Sequence, residues 1–88
     1  MDIIKRASAG TMESSDAYVE VEPACGLQIQ VESVVCAQFG DAILETVAEV
    51  LREQGVENAA VRLTDRGALE CVIRARVETA IIRGRENA

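Results

Sequence analysis

Hydrophobic and polar residues alternate strictly along two early runs. Ala17, Val19 and Val21 alternate with Tyr18, Glu20 and Glu22; Leu27, Ile29 and Val31 alternate with Gln28, Gln30 and Glu32. A period of two puts one set of side chains on each face, so both runs predict half-buried antiparallel strands. Between them lies Glu22-Pro23-Ala24-Cys25-Gly26, which holds the only proline of the chain and a glycine. That composition predicts a turn, and the two runs together a hairpin. The small-residue run Ala7 to Thr11 predicts a further edge strand.

The period then lengthens. Phe39, Ile43, Val47, Val50 and Leu51 recur at spacings of three and four, with Glu45, Glu49, Arg52 and Glu53 on the other side. This predicts an amphipathic helix of roughly four turns. Asp41 after Gly40 is one candidate cap and a start nearer Ser33 is the other; Gly55 after Gln54 supplies the C-terminal stop. Further on, Val61 and Leu63 alternate with Arg62 and Thr64. Beyond Asp65-Arg66-Gly67, Leu69, Cys71 and Ile73 alternate with Glu70, Val72 and Arg74. The pattern predicts a second hairpin with a tight, glycine-containing turn. From Ala75 on, Val77, Ala80 and Ile81 predict a closing helix ended by Gly84. The predicted order is strand-strand-helix-strand-strand-helix. Neither helix can bury its apolar stripe alone, so both pack on one face of a mainly antiparallel sheet. The expected fold is a two-layer α+β sandwich, with a ferredoxin-like topology as one arrangement that fits.

Composition narrows the picture. The 88 residues suit one domain, 1–88, and exclude a large enzyme built around a deep cleft. An apolar share of 49% is that of a folded chain. Aromatic residues make up only 2%, so the core rests on Val, Ile, Leu and Ala, and base-stacking platforms are missing. The net charge of -6 repels phosphate backbones and anionic lipid alike, which argues against nucleic-acid and membrane partners. The same charge suits docking onto a basic patch of another protein. Three cysteines (Cys25, Cys36, Cys71) show no CxxC spacing, and without histidine a zinc site is not expected. They read as reduced, mostly buried small hydrophobes of a cytoplasmic protein. Met1-Asp2-Ile3-Ile4-Lys5-Arg6 lacks the apolar run of a signal peptide, and no segment reaches the ~20 apolar residues of a membrane helix.

Chemistry is scarce. A nucleophilic serine needs a base, and the chain has no histidine. Asp16 is close in sequence to Ser14 and Ser15, but a contact two residues long is more often a turn or a cap. The pairs Glu20 and Glu22, and Glu45 and Glu49, lie on expected solvent faces, and no phosphate-binding glycine loop is present. Arg74, Arg76, Arg83 and Arg85 form a basic edge near the C-terminus, read as helix-end electrostatics or a docking edge. The densest cluster of small residues, hydroxyls and acids is Ala9-Gly10-Thr11-Met12-Glu13-Ser14-Ser15-Asp16. In the absence of a base, Ser14 is better suited to having a group attached than to attacking one.

That block, Gln38-Phe39-Gly40-Asp41-Ala42-Ile43, and Asp65-Arg66-Gly67-Ala68-Leu69-Glu70-Cys71 with Ile73-Arg74-Ala75-Arg76 together resemble the acyl carrier subunit, or gamma chain, of citrate lyase. The resemblance runs over nearly the whole chain, with the three blocks in the expected order. Met12 stands where Leu is common, a change that conserves volume. The resemblance implies that Ser14 carries 2'-(5''-phosphoribosyl)-3'-dephospho-coenzyme A through a phosphodiester, with Ser15 as the neighbouring hydroxyl. It implies that residues 1–16 form a flexible segment reachable by a prosthetic-group transferase. It also implies that the arm holds acetyl and citryl thioesters for two partners: an alpha subunit that exchanges acetate for citrate, and a metal-dependent beta subunit that splits the citryl thioester into oxaloacetate and the regenerated acetyl thioester. On that reading the chain is a carrier and not an enzyme by itself, and the arm supplies the chemistry the side chains lack. Two rivals stand beside it: the carrier subunit of malonate decarboxylase, with the same group, and a cofactor-free α+β interaction module whose Ser14 loop is merely exposed.

Overall fold

The computed structural model of the chain describes residues 2–33 and 36–86, and among these all side chains but those of residues 36–40. Phe39, the first member of the expected helical stripe, and Cys36 therefore have their side chains outside the described residues. The elements follow as β1 (Ala7–Gly10), β2 (Ala17–Glu22), β3 (Leu27–Ser33), α1 (Cys36–Glu53), β4 (Ala59–Asp65) and α2 (Glu70–Arg85). The four strands form one sheet in the order β1-β2-β4-β3. β1 and β4 flank β2 in antiparallel register, with Ala9 opposite Val19 and Val19 opposite Leu63. β3 runs parallel to β4 on the outer edge, Ile29 opposite Val61.

The expected two-layer α+β sandwich is what forms. α2 packs over β1 and β2, α1 over β3, and the helices touch each other. The core between the layers holds Val19, Val21, Val61 and Leu63 from the sheet, Val47, Val50 and Leu51 from α1, and Ile73, Val77, Ala80 and Ile81 from α2. The alternation in β2 and β4 is thus real: odd-numbered residues are buried and even-numbered ones lie on the uncovered face. α1 begins at Cys36, close to the Ser33 alternative, and Asp41 lies inside the helix rather than at its cap. Its end is closed at Gly55, whose φ is 70°. The Gly55 amide donates to the Arg52 carbonyl at 3.1 Å and Val56 to Leu51 at 2.9 Å, the two bonds of a Schellman motif.

Both expected hairpins give way to other connections. β2 and β3 are antiparallel to each other, but β4 is inserted between them. The Pro23–Gly26 link crosses two strand spacings, about 10 Å, which four residues can span. Gly26 fixes the landing point, accepting from the Ala59 amide at 3.0 Å and donating to Asn58 Oδ1 at 2.8 Å. The second correction concerns Leu69–Arg74: Glu70–Arg74 belong to α2, with Leu69 as its N-cap, and not to a strand. Asp65, buried at the end of β4, accepts the amides of Gly67 at 3.2 Å and Ala68 at 2.8 Å and so stops the ladder. The chain then winds into helix, and the buried stripe is Ile73, Val77, Ala80, Ile81 and Gly84, at helical spacing. The element order is therefore βββαβα, not the βαββαβ of a ferredoxin-like chain. Gly84 does not end α2. It lies buried one residue before the end, where an added Cβ would stand 3.0 Å from Val21 Cγ2 and 3.1 Å from Ile3 Cγ2. Cys25 and Cys71 are free and exposed, so they are not the buried hydrophobes expected.

The amino-terminal residues are tied to the rest. Ile3 is buried, Ile4 and Lys5 donate to the Gly84 carbonyl at 2.9 and 3.0 Å, and Asp2 accepts from the amides of Glu57 and Asn58. No helix among the described residues is long and apolar enough to cross a membrane.

Candidate functional site

The link between β1 and β2 is where the block around Ser14 lies. Gly10 closes β1 with a φ of 93°, and a Cβ there would fall 1.8 Å from the Ala17 carbonyl oxygen, so the close approach of the two strands requires glycine. From Thr11 the chain leaves the sheet. The Asp16 amide donates back to the Glu13 carbonyl at 3.2 Å, making Glu13–Asp16 a β-turn with Ser14 and Ser15 at its centre. Ser15 has a φ of 65°, the left-handed third position of a type II turn. Both serines are exposed, and among the described residues neither hydroxyl has a hydrogen-bond partner.

The turn is pinned from the neighbouring strand. The Ser15 amide donates to the Arg66 carbonyl at 2.8 Å, and the Arg66 amide to the Asp16 carbonyl at 2.9 Å. With Ala17 paired to Asp65, two residues (Ser15 and Asp16) oppose the single residue Arg66, which is a β-bulge. Its first residue is left-handed, a position usually given to glycine. Bulges of this sort bend a strand and re-aim the residues beside them. Ser14 is the residue so displaced, at the tip beyond the last ladder bond.

Asp16 acts as the clamp of this turn and not as a base. Its Oδ1 accepts from Arg76 Nε at 3.0 Å and from the Ala17 amide at 2.7 Å; its Oδ2 accepts from Arg76 at 3.1 Å and from Thr11 Oγ1 at 2.6 Å. The Arg76 guanidinium, then Thr11 and the Ala17 amide, hold the carboxyl well below the usual carboxylate range. A carboxylate so fully engaged has no lone pair to offer a serine proton. Thr11 Oγ1 in turn accepts the Glu13 amide at 3.2 Å, so the clamp reaches along the turn to the residue before Ser14.

The basic edge resolves into separate duties. Arg74 pairs with Glu49 at 2.9 Å and Glu53 at 2.7 Å, fastening α2 to α1. Arg76 holds Asp16, Arg83 donates to the Ser8 carbonyl at 2.9 Å, and Arg85 donates to the Gln54 carbonyl at 3.0 Å and to its side chain at 2.8 Å. Sequence reasoning named Asp16 and Arg76 but could not join them across 60 positions. It did not single out Arg66 as the backbone partner of the turn. The one local signal was Gly67, with a φ of 90°, which marks Asp65–Gly67 as a fixed turn.

Among the described residues, this arrangement offers an exposed, unengaged hydroxyl on a tip held by hydrogen bonds, beside a carboxylate, Asp16, that is fully engaged. Such a residue can bear a group while the protein contributes placement. Residues 4–84 match the family model described as the malonate decarboxylase delta subunit, an acyl carrier protein model. The chain is 50% identical over 88 residues to the citrate lyase acyl carrier protein of Escherichia fergusonii, covering 98% of this chain and 91% of that one. It is 48% identical to the citrate lyase acyl carrier protein of Haemophilus influenzae (strain Rd), over 100% and 93%. Its fold is also that of a chain in a Pseudomonas malonate decarboxylase hetero-tetramer solved with malonate: TM-score 0.66 at 24% identity, covering 90% of this chain and 82% of that one. With about half of its residues identical along nearly its whole length to these carriers, the chain belongs to the family of citrate lyase acyl carrier proteins.

Proposed function

We propose that residues 1–88 work as one acyl carrier domain of a citrate lyase, with Ser14 as the attachment point of the prosthetic group that acyl carrier proteins of this family bear. The group we assign is 2'-(5''-phosphoribosyl)-3'-dephospho-coenzyme A, joined to Ser14 Oγ by a phosphodiester. The observation that carries this reading is the Ser14 hydroxyl itself, exposed and without a partner among the described residues at the tip of a turn held from the end of β4 and from α2. When bound, the group supplies a thiol on which acyl chains ride. The protein's own residues do the rest. Ser14 presents its oxygen to a prosthetic-group transferase. Thr11, Asp16 and Arg76 keep the tip in one shape, and Ser15 and Arg66 fasten it to the sheet. The partners of such a carrier are the acyl-transferring alpha and citryl-cleaving beta subunits, and tethering raises the effective concentration of the load at both. The cytoplasm is the compartment this reading calls for.

A second reading, the malonate decarboxylase carrier, has the family model in its favour. The identity of about half the residues to citrate lyase carriers weighs the other way. Intact mass with peptide mapping on the chain purified from its own host tests the proposal. The expected result is a mass increase of the phosphoribosyl-dephospho-coenzyme A group localised to Ser14. Ser14→Ala keeps the fold, stays unloaded and leaves the assembled lyase inactive. An unmodified Ser14 in the native protein, with partner activity intact after replacement, would leave the cofactor-free interaction module as the better account.

A further inference from the structure

We propose that the Arg66 side chain clamps the phosphoryl group borne on Ser14. The inference rests on the assignment of Ser14 as the phosphodiester site and adds the residue that receives the new charge. A phosphodiester placed at Ser14 adds an anion to a chain of net charge -6, directly beside Glu13. Charged residues of the turn and of the segments bonded to it are Glu13 and Asp16 in the turn, Arg76 from α2 and Arg66 from the turn after β4. Asp16 and Arg76 neutralise each other in a two-pronged pair at 3.0 and 3.1 Å. Glu13 repels. Arg66 is exposed, and among the described residues its side chain makes no hydrogen bond or ion pair. Two other arginines of α2 are committed elsewhere, Arg74 to Glu49 and Glu53 and Arg83 to the Ser8 carbonyl.

Position completes the argument. The Arg66 backbone is bonded on both sides to the turn, through its carbonyl to Ser15 and through its amide to Asp16. It is the next residue across the sheet from the tip. Asp65 before it and Gly67 after it are locked by the buried Asp65 carboxylate, so the stem of Arg66 starts from a fixed point. A guanidinium offers a planar fork that matches two phosphoryl oxygens, and a pre-placed stem lowers the entropy lost in making those bonds.

The test needs no loaded complex. The full chain is made with phosphoserine at position 14, and the phosphate is titrated by 31P NMR in the wild-type background and in Arg66→Gln and Arg66→Lys. A phosphoserine titrates with a second pKa of about 6. The expected result is a pKa lower by about 0.3 or more with Arg66 than with Gln, partly restored by Lys, and a shift of the Arg66 Nε–H resonance on phosphorylation. Equal pKa values in wild type and Arg66→Gln overturn the clamp, whatever the native chain carries. The attachment assignment fails separately, by an unmodified Ser14 in the native mass spectrum.

Discussion

Ser15 is the residue whose backbone tells most about the site. Its φ of 65° is one that only glycine adopts freely, and a serine there costs about 1–2 kcal/mol against a right-handed conformation. The bonds to Arg66 and across the turn hold it there. Ser15→Gly therefore raises stability by about 0.5 kcal/mol, the relief less the extra freedom glycine has when unfolded, measurable as a higher denaturant midpoint. The same variant keeps Ser14, so loading persists if Ser14 and not Ser15 bears the group. Gly10→Ala runs the other way. Its Cβ would lie 1.8 Å from a backbone oxygen, so the strands must part, and a loss of more than about 2 kcal/mol is expected in the same measurement. The block around Ser14 was legible in the sequence as a family pattern, and the structure shows it as an exposed turn. The clamp was not, since nothing local joins Asp16 to an arginine in the last helix.

At the scale of elements, the junction of β4 and α2 decides the topology. Asp65 is buried and receives three donors: the amides of Gly67 and Ala68, and the Ser33 hydroxyl at 2.7 Å from the end of β3. One side chain thus ends β4, opens the turn into α2 and ties down the edge strand. Asp65→Ala strands those donors and is expected to lower stability by about 2–4 kcal/mol, read by chemical denaturation, with Asp65→Asn recovering part of it. Asp-Arg-Gly before an alternating run reads equally as a hairpin turn, and Leu69, Cys71 and Ile73 do alternate. In the structure Leu69 is 71% exposed and Cys71 is exposed too, so of the alternating set only Ile73 is buried. The helical stripe begins only at Ile73, after the misleading residues have passed. The β2–β3 pairing failed for a different reason: period and turn composition give strand direction, but which strand enters between two others is decided by a residue pattern some thirty positions on. The strands whose faces are covered, β2 and β4, and the α1 stripe from Ile43 on were readable because burial enforces their periods.

The whole molecule depends on a few carboxylates that couple distant parts of the chain. Asp16 joins the tip to α2, and Asp2 joins the amino end to the start of β4 through Glu57 and Asn58. Hydrogen bonds hold both below their ordinary range, Asp16 most strongly through Arg76. A group whose folded pKa is depressed stabilises the fold above its unfolded value, about 3.9, and that contribution is lost as pH falls through and below it. The melting temperature is therefore expected to fall from about pH 5 downward. Asp16→Asn should start lower at neutral pH and fall less steeply, and a parallel acid profile in the variant would sink the assignment.

A tip fastened to β4 and α2 has one more consequence. On the proposed attachment, an arm hung from Ser14 would turn about a point that is stationary with respect to the body of the protein, so its free end would sweep a bounded shell. Two catalytic centres served by one docked carrier can then lie no further apart than twice the arm's full length. Any greater separation would require the whole carrier to walk between them.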